Sequence, residues 1–418
     1  MTEVSAHKKC CSCDCNEQVP EKHFKLSELF NMHWDEYCKH PTDFIEPEQY
    51  KAANAIRTCQ TAVLGVDYYS CPECGEITKK YHACKHRFCP SCSWKDTLKW
   101  VNAQVQKMMH VKHRHAVFTL PHDLHPLIRK NKRAIYNILM RTSADTFKDW
   151  IRYKFKIEPG IISVLHTFGE TKELHVHVHM IVSWGGEDIV TGALKEINQE
   201  YVKFGFLQDK FRCKFEDELI RLYDTKKLSH NFTDRQDFMQ YVKNLNRKGW
   251  ILHIEPPMQS PKDVITYIGR YSKRACISEY KITDISGETI TFKYRDYRNR
   301  DECNRPKENH QTLHYKDFFP RLLQHVPLPN FRIVRYYGKY NQKSTINESN
   351  LYKNTNTEEV QIEEPSALLC KHCNCLPEYL YTVYDLRLRN ERTEPFDASR
   401  HEHVIIRRLQ NIKQNQAA

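Results

Sequence analysis

Three histidines alternate with apolar residues in the run His175-Val-His177-Val-His179-Met-Ile-Val. Successive side chains of a β-strand point to opposite faces, so the run predicts three imidazoles on one face and apolar side chains on the other. Buried imidazoles without partners lose solvation, and a divalent ion would satisfy them. We therefore predict that His177 and His179, which directly precede the apolar run, bind a metal; chance alternation in an ordinary strand is the alternative.

His175 lies nearer the turn, which makes it a candidate for an outer position around the metal or for a DNA contact. Two histidine ligands leave most positions around an ion open, which suits an ion that polarises a phosphodiester. A third protein ligand is therefore expected. Its candidates in the sequence are His166, Glu170 and Glu255.

Two tyrosines lie four residues apart in a segment with helix signals. Ser260-Pro-Lys-Asp263 combines a capping residue, a proline for the first turn and an acidic residue, and predicts a helix from Pro261 toward Arg274. Tyr267 and Tyr271 would share one face of it, with Arg270 and Arg274 beside Tyr267. A free tyrosine has a pKa of about 10, so it attacks at neutral pH only beside positive charge or a metal-polarised phosphate. These residues are nucleophile candidates if the helix lies near the histidine strand, and packing residues otherwise.

Two CxxC pairs, Cys71/Cys74 and Cys89/Cys92, are separated by 14 residues of sequence. This spacing is close to the one that lets four thiolates converge on a single tetrahedral zinc, so we predict one structural zinc site. Four unrelated buried cysteines are the alternative. Ligand exchange or a second ion stays open, because the same segment contains other potential ligands, namely Cys59, Cys84, His82 and His86.

Cations and tyrosines surround these cysteines. Lys85 and Arg87, with Tyr68, Tyr69 and Tyr81 nearby, could contact phosphates and stack on bases, and a solvated basic face is the alternative. The net charge of +12 suits a polyanionic partner, although unrelated proteins share such a charge.

Composition narrows the class of protein. At 418 residues the chain is too long for one ordinary core, and two or three domains are expected. We find no apolar run of about 18 residues that could cross a membrane, and no signal-peptide stretch at the start. The 17 cysteines are therefore expected to stay reduced, in the cytoplasm.

Strand and helix patterns are interleaved, which predicts one α/β domain. Strands are predicted at His115–Leu120, Ile161–Phe168, His175–Val182 and Trp250–Ile254, with helical patterns through Trp150 and over Leu194–Leu222. The short link between the second and third of these strands predicts a hairpin. The polar stretch Lys343–Ser366 reads as a linker, and a tail with Cys370, Cys373 and Cys375 follows it.

These pieces together resemble the rolling-circle insertion-sequence transposases of the insertion sequence 91 group. That group is the two-tyrosine branch of the HUH (His-hydrophobic-His) nucleases and carries an N-terminal transposase zinc-binding domain. The resemblance extends from about Ala55 to Tyr340. It comprises Cys59, Cys71–Cys92, Val117–His122, Leu165–Thr167, His175–Val182, Phe211-Arg212, Trp250, Tyr267–Tyr271, Ala275–Ser278 and Arg332–Gly338.

The resemblance implies an α/β fold: an HUH nuclease domain with a central antiparallel sheet flanked by helices, plus a small N-terminal zinc-binding module. The implied organisation is a leader and helix over 1–45, a zinc-binding, DNA-contacting module over 46–107 and a nuclease domain over 108–342. A polar linker over 343–366 and a tail over 367–418 with a possible CxxC metal site would follow.

For function, the resemblance implies a transposase that nicks and rejoins single-stranded DNA through a 5′-phosphotyrosine, in rolling-circle transposition. Tyr267 and Tyr271 would be the nucleophiles, and His177 and His179 would hold Mg²⁺ or Mn²⁺. Cys71, Cys74, Cys89 and Cys92 would bind Zn²⁺, and Arg270, Arg274, Lys85 and Arg87 would contact DNA. The partners would be single-stranded transposon ends and host target DNA in the bacterial nucleoid. The alternatives are a plasmid replication initiator or relaxase with the same chemistry, and a non-catalytic zinc-dependent DNA-binding regulator.

Overall fold

The computed structural model describes residues 24–92, 107–199, 202–245, 249–258, 275–341 and 369–384, with the short stretches 100–101, 103–104, 343–346 and 350–351. Its first elements are the helices α1 (Leu26–Lys39) and α2 (Pro47–Thr58) and the hairpin of β1 (Val66–Ser70) and β2 (Ile77–Tyr81). Helix α2 begins where the sequence supplies a proline in the first turn and a Gln49 side chain that accepts a hydrogen bond from the Glu46 backbone N–H.

The middle of the chain forms a helix-flanked sheet. Its elements are β3 (His113–Thr119), α3 (His125–Lys130), α4 (Lys132–Phe155), β4 (Ile157–Phe168), β5 (Leu174–Asp188), β6 (Leu194–Glu196), α5 (Phe204–Asp224), α6 (Arg235–Asn244) and β7 (Ile251–Ile254). The later elements are β8 (Ile282–Ser286), β9 (Thr289–Arg300), β10 (Pro306–His314), α7 (Tyr315–Leu323), β11 (Val334–Gly338) and β12 (Glu378–Val383).

A six-stranded antiparallel sheet lies at the centre, in the order β11-β4-β5-β3-β7, with β6 paired to the end of β5. Helices α4 and α5 cover one face. There Val176, Val178 and Met180 of β5 are fully buried, and Phe118 of β3 packs on Phe211 of α5 with ring centroids 4.7 Å apart. Each such side chain contributes roughly 1.5–3 kcal/mol by burial, so this core fixes which face of β5 turns away from it.

A second core joins the N-terminal helices to elements that follow strand β7 in the sequence. Helices α1 and α2 pack against β8, β9 and α7, and Phe319 of α7 lies among Phe30, Trp34 and Tyr37 of α1. Cys89 and Cys92 belong to the same cluster of buried residues. The cysteine-rich segment therefore packs against residues from α1 and α2, which precede it in the sequence, and against residues that follow strand β7.

The predicted α/β class and the antiparallel sheet flanked by helices are confirmed. The predicted β4–β5 hairpin is present, and all four predicted strands exist with shifted ends. The helix predicted over Leu194–Leu222 is wrong at its start, because residues 194–196 pair with β5 as a strand and the helix begins at Phe204. The predicted helix from Pro261 lies outside the described residues, as does most of the predicted linker. Among the described helices, none has the length and apolarity needed to cross a membrane.

Candidate functional site

The predicted histidine face exists on the side of β5 that turns away from the α4–α5 core. His177 is paired across the hairpin with His166 of β4, and His179 follows two residues later on the same face. One ring nitrogen from each of these three histidines lies within 4.8 Å of the others. His166 and His177 are buried and His179 is partly buried, so the sheet holds three imidazoles together away from bulk water.

The directions of the ring nitrogens suit a cation. His177 Nδ1 lies 2.9 Å from the carbonyl oxygen of His175, so we assign the proton to Nδ1, which leaves a lone pair on Nε2. The Nε2 atoms of His177 and His179 are 3.2 Å apart. Two nitrogens bound to one ion at about 2.1 Å would be separated by about 3.0–3.4 Å for angles between octahedral and tetrahedral. The site therefore has the spacing of two ligands of one metal ion.

A further histidine and a carboxylate lie behind His179. Nδ1 of His179 is 2.9 Å from Nε2 of His115 on β3, and the rings of the two histidines are stacked. Nδ1 of His115 is in turn 3.2 Å from Oε1 of Glu255. Metal-binding histidines usually direct the second ring nitrogen to such an acceptor, which fixes the tautomer and the ring orientation. Glu255, His115 and His179 thus form a chain that directs Nε2 of His179 to the cluster.

Burial lowers the pKa of His177 and His179 well below the ordinary value, and the neighbouring His166 lowers both further. Desolvation disfavours the charged imidazolium, and a second positive charge nearby adds to the penalty. Both rings are therefore neutral at pH 7, the form in which an imidazole can bind a metal ion.

The structure separates the proposed third ligands from one another. His166 joins the cluster, whereas Glu170 forms an ion pair with Lys281 at 2.7 Å and Glu255 contacts His115. His175 is not in the cluster, and its backbone carbonyl rather than its ring supports His177. The four predicted residues Tyr267, Arg270, Tyr271 and Arg274 lie outside the described residues.

The prediction of a single four-cysteine zinc site is wrong as to which thiols meet. Cys89 and Cys92 lie with Cys59 and Cys84, whereas Cys71 and Cys74 lie with Cys370 and Cys373. The β1–β2 hairpin explains the division: Cys59 and Cys84 flank its base and Cys71 follows β1 at its tip. Five residues at about 3.4 Å each span roughly 17 Å, too far for thiolates that must all lie about 2.3 Å from one ion.

The first cysteine cluster is packed into the second core. Cys92 Sγ lies 3.4 Å from Cys59 Sγ and 3.6 Å from Cys84 Sγ. Hydrogen bonding to the Cys59 thiol raises the pKa of Cys84 and Cys89, because the clustered sulfurs cannot all become anionic without a cation among them. His82, a candidate ligand from the sequence, instead contacts Asp67 at 2.7 Å.

A cleft of about 470 Å³ extends from the cysteine-rich segment to His166 of the histidine cluster. Four cations line it, and His166 lies in its wall; the cations are Lys85, Arg87, Lys132 and Arg332. Phe88, Tyr136, Phe168 and Phe331 supply aromatic surface between them. Positive charge of this kind can hold a phosphate backbone, whereas the rings of Phe88, Tyr136 and Phe331 are buried and present little surface for base stacking. Both cations predicted near the cysteines, Lys85 and Arg87, thus line a cleft that reaches His166.

Comparison with known proteins gives two family matches. A model described as "Putative transposase" matches residues 160–348, and a model described as "Transposase zinc-binding domain" matches residues 29–120. The histidine cluster lies within the first match, and the cluster of Cys59, Cys84, Cys89 and Cys92 within the second.

Two curated bacterial proteins are similar over most of the chain. The "Putative transposase y4qJ" of Sinorhizobium fredii is 28% identical over 329 residues, which are 75% of this chain and 79% of that protein. The "Transposase for insertion sequence element IS801" of Pseudomonas savastanoi pv. phaseolicola is 29% identical over 295 residues, 69% of this chain and 70% of that protein. No solved structure matches the chain.

Proposed function

Because this chain belongs to the insertion-sequence transposases of the insertion sequence 91 group, with an N-terminal zinc-binding domain, we propose that it cuts and rejoins single-stranded DNA by tyrosine transesterification. The observation that carries the proposal is the convergence of His166, His177 and His179 on the face of the central sheet opposite helices α4 and α5. Such a site suits a divalent ion, Mg²⁺ or Mn²⁺, that would polarise a phosphodiester.

The chain's own residues would act in a defined order. The cations of the cleft would hold the DNA backbone so that one phosphate lies against the histidine cluster, and the neutral histidines would hold the ion. The hydroxyl of Tyr267 or Tyr271 would then attack the phosphorus as its proton leaves. The bond from phosphorus to the 3′ oxygen breaks, which produces a 5′-phosphotyrosine and, after protonation, a free 3′-OH.

The reverse reaction joins strands, because a 3′-OH can attack the phosphotyrosine and release the tyrosine. The covalent bond conserves the energy of the cut phosphodiester, so no nucleotide cofactor is needed. A second tyrosine would allow another cut while the first strand is still attached. The proposed partners are accordingly single-stranded transposon ends and host target DNA in the bacterial cytoplasm, at the nucleoid.

The test is an adduct assay with labelled single-stranded DNA from the ends of the element and Mg²⁺ or Mn²⁺. Wild-type protein should form a denaturant-resistant adduct. The single variants Tyr267→Phe and Tyr271→Phe should each form at most as much adduct as wild type, because one tyrosine remains. The double variant should form no adduct. Tyr280→Phe, at an exposed tyrosine, is the matched control and should behave as wild type. An adduct that persists in the double variant would overturn the assignment of the nucleophiles.

Two other functions predict different results in this adduct assay. A replication initiator or relaxase of the same chemistry would form the adduct on plasmid origin DNA and not on transposon ends. A non-catalytic DNA-binding regulator would bind DNA and form no adduct with any substrate. The buried histidine cluster favours an enzyme, since a binding protein has no need to hold three neutral imidazoles together.

A further inference from the structure

Two six-residue turns of the same design lie side by side at one end of the N-terminal sheet. In the first, Cys71 N–H donates to the Glu76 carbonyl at 2.9 Å, and Gly75 N–H donates to the Cys71 carbonyl at 2.9 Å. In the second, Cys370 N–H donates to the Cys375 carbonyl at 2.8 Å, and Asn374 N–H donates to the Cys370 carbonyl at 2.9 Å.

Each turn contains one left-handed residue directly after its second cysteine. Gly75 has φ +71° and Asn374 has φ +59°, and glycine and asparagine are the residues that adopt this conformation most readily. The sequences CPECGE and CKHCNC therefore encode the same backbone turn, in which both sulfurs point to one side.

The four sulfurs have the spacing of a metal site. Cys71 Sγ lies 3.1 Å from Cys373 Sγ, Cys74 Sγ lies 3.4 Å from Cys370 Sγ, and Cys74 and Cys373 are 3.7 Å apart. Four thiolates at about 2.3 Å from one zinc would be about 3.8 Å apart. A disulfide would need about 2.05 Å, and all four cysteines are free thiols.

We propose that Cys71, Cys74, Cys370 and Cys373 bind a structural zinc ion that fastens the C-terminal segment to the N-terminal module. Half of this site lies outside both family matches, which end at residues 120 and 348. The zinc-binding domain is thus incomplete without residues that follow the transposase match. This inference does not depend on the tyrosine chemistry.

The strand that follows the second turn explains what the zinc would stabilise. Strand β12 pairs with β1 and converts the β1–β2 hairpin into a three-stranded sheet. Tyr381 stacks on the buried Tyr68 with centroids 5.1 Å apart, and Thr382 Oγ1 donates to Asp67 Oδ1 at 2.6 Å. A two-stranded hairpin of this length is marginal in water, so the third strand and the ion would stabilise the module together.

The test is the zinc content of full-length protein that carries His177→Ala/His179→Ala, so that zinc in the histidine cluster is not counted, measured by mass spectrometry of the metal. This parent protein should contain two zinc ions per chain, one for each cysteine cluster. Cys370→Ser/Cys373→Ser should retain one, and amide hydrogen exchange should become faster in residues 66–70 and 378–383. Cys375→Ser removes a neighbouring thiol outside the cluster and should retain two.

Three results would overturn the proposal. One is two zinc ions in the double serine variant, another is a single zinc in the parent protein, and a third is disulfides that join the four thiols in non-reduced peptides. If the serine variant loses both ions by unfolding, Cys370→His/Cys373→His distinguishes the causes, because zinc accepts imidazole. Recovery of two ions by that variant supports the site, and failure to recover them overturns it. Neither readout uses DNA cleavage.

Discussion

His115 Nε2 lies 2.9 Å from His179 Nδ1, so a residue of β3 holds the ring of a proposed metal ligand on β5. The register of the sheet produces this contact: Val117 is paired with His179, and His115 lies two residues further along the same face. Glu255, directly after β7, contacts the other nitrogen of His115. Three segments of the sheet thus fix the direction of a single imidazole.

Removal of this support should weaken metal binding while all three proposed ligands remain. His115→Gln is expected to raise the dissociation constant for Mn²⁺ by about 10- to 100-fold, the usual effect of losing a group that orients a metal ligand. Glu255→Gln should act in the same direction with a smaller effect. Calorimetric titration of purified protein with Mn²⁺ measures both.

His253→Gln is the matched control for this titration, because His253 lies on the neighbouring strand β7 but is exposed and outside the cluster. It should bind Mn²⁺ as wild type does. Equal affinities of His115→Gln and wild type would show that the contact with His179 does not orient a ligand.

His166 and His175 provide a test of which histidine is the third ligand. His166→Ala should reduce Mn²⁺ affinity at least as much as His115→Gln does, because it removes one of three converging nitrogens. His175→Ala should have a small effect, because only the backbone carbonyl of His175 supports His177. The reverse order, measured in the same titration, would place His175 at the metal.

The alternation of residues in β5 was sufficient to predict which face carries the histidines. It could not select the third ligand, because that choice depends on the register between β4 and β5. The register shifts between His166 and Phe168, so counting back from the turn does not give the observed pair of His166 and His177. His115 escaped prediction for the same reason, since its role depends on pairing with a distant strand.

The cysteines show a different limit of sequence reasoning. Spacing predicted that Cys71 and Cys89 belong to zinc knuckles, but neighbouring knuckles are not paired with each other in this fold. The hairpin between them keeps them apart, and the partner of Cys71 is 302 residues further along the chain. The matching turn sequences after Cys71 and Cys370 were the one signal that could have joined the two segments.

The cleft cations should contribute to DNA binding through charge. Lys85→Asn and Arg87→Gln are each expected to weaken binding of single-stranded DNA at low salt. Each should also reduce the slope of log K against log salt concentration by about 0.7 for a lost phosphate contact. Asparagine is chosen for Lys85 because φ there is +53°, a conformation that asparagine tolerates. Fluorescence anisotropy at several salt concentrations provides the slopes.

Lys214→Gln is the control for charge in the anisotropy experiment. Lys214 is on α5, which covers the opposite face of the sheet from the histidines, and it pairs with Asp149 at 2.7 Å. Its slope should equal that of wild type. Unchanged slopes for the Lys85 and Arg87 variants would mean that DNA does not follow this cleft.

A buried histidine should make the fold sensitive to acid. Burial lowers the pKa of His325 to about 3. Nε2–H of the neutral ring donates to the Lys172 carbonyl at 2.9 Å, so Nδ1 accepts from the Thr167 hydroxyl at 3.0 Å. An unfolded chain has a histidine pKa of about 6.5. Between these two values the unfolded state binds a proton that the folded state does not, so stability falls as the pH drops below 6.5.

The loss from this group alone between pH 6.5 and pH 5 should be about 2 kcal/mol, at 1.36 kcal/mol for each pH unit. His325→Gln should be less stable than wild type at pH 7, because it disturbs both hydrogen bonds, yet lose less stability between pH 7 and pH 5. Urea unfolding followed by circular dichroism at the two pH values gives the difference. His310→Gln, at an exposed histidine, should keep the wild-type dependence. If His325→Gln loses as much stability between pH 7 and pH 5 as wild type does, then His325 is protonated in the folded protein at pH 5 and the lowered pKa is wrong.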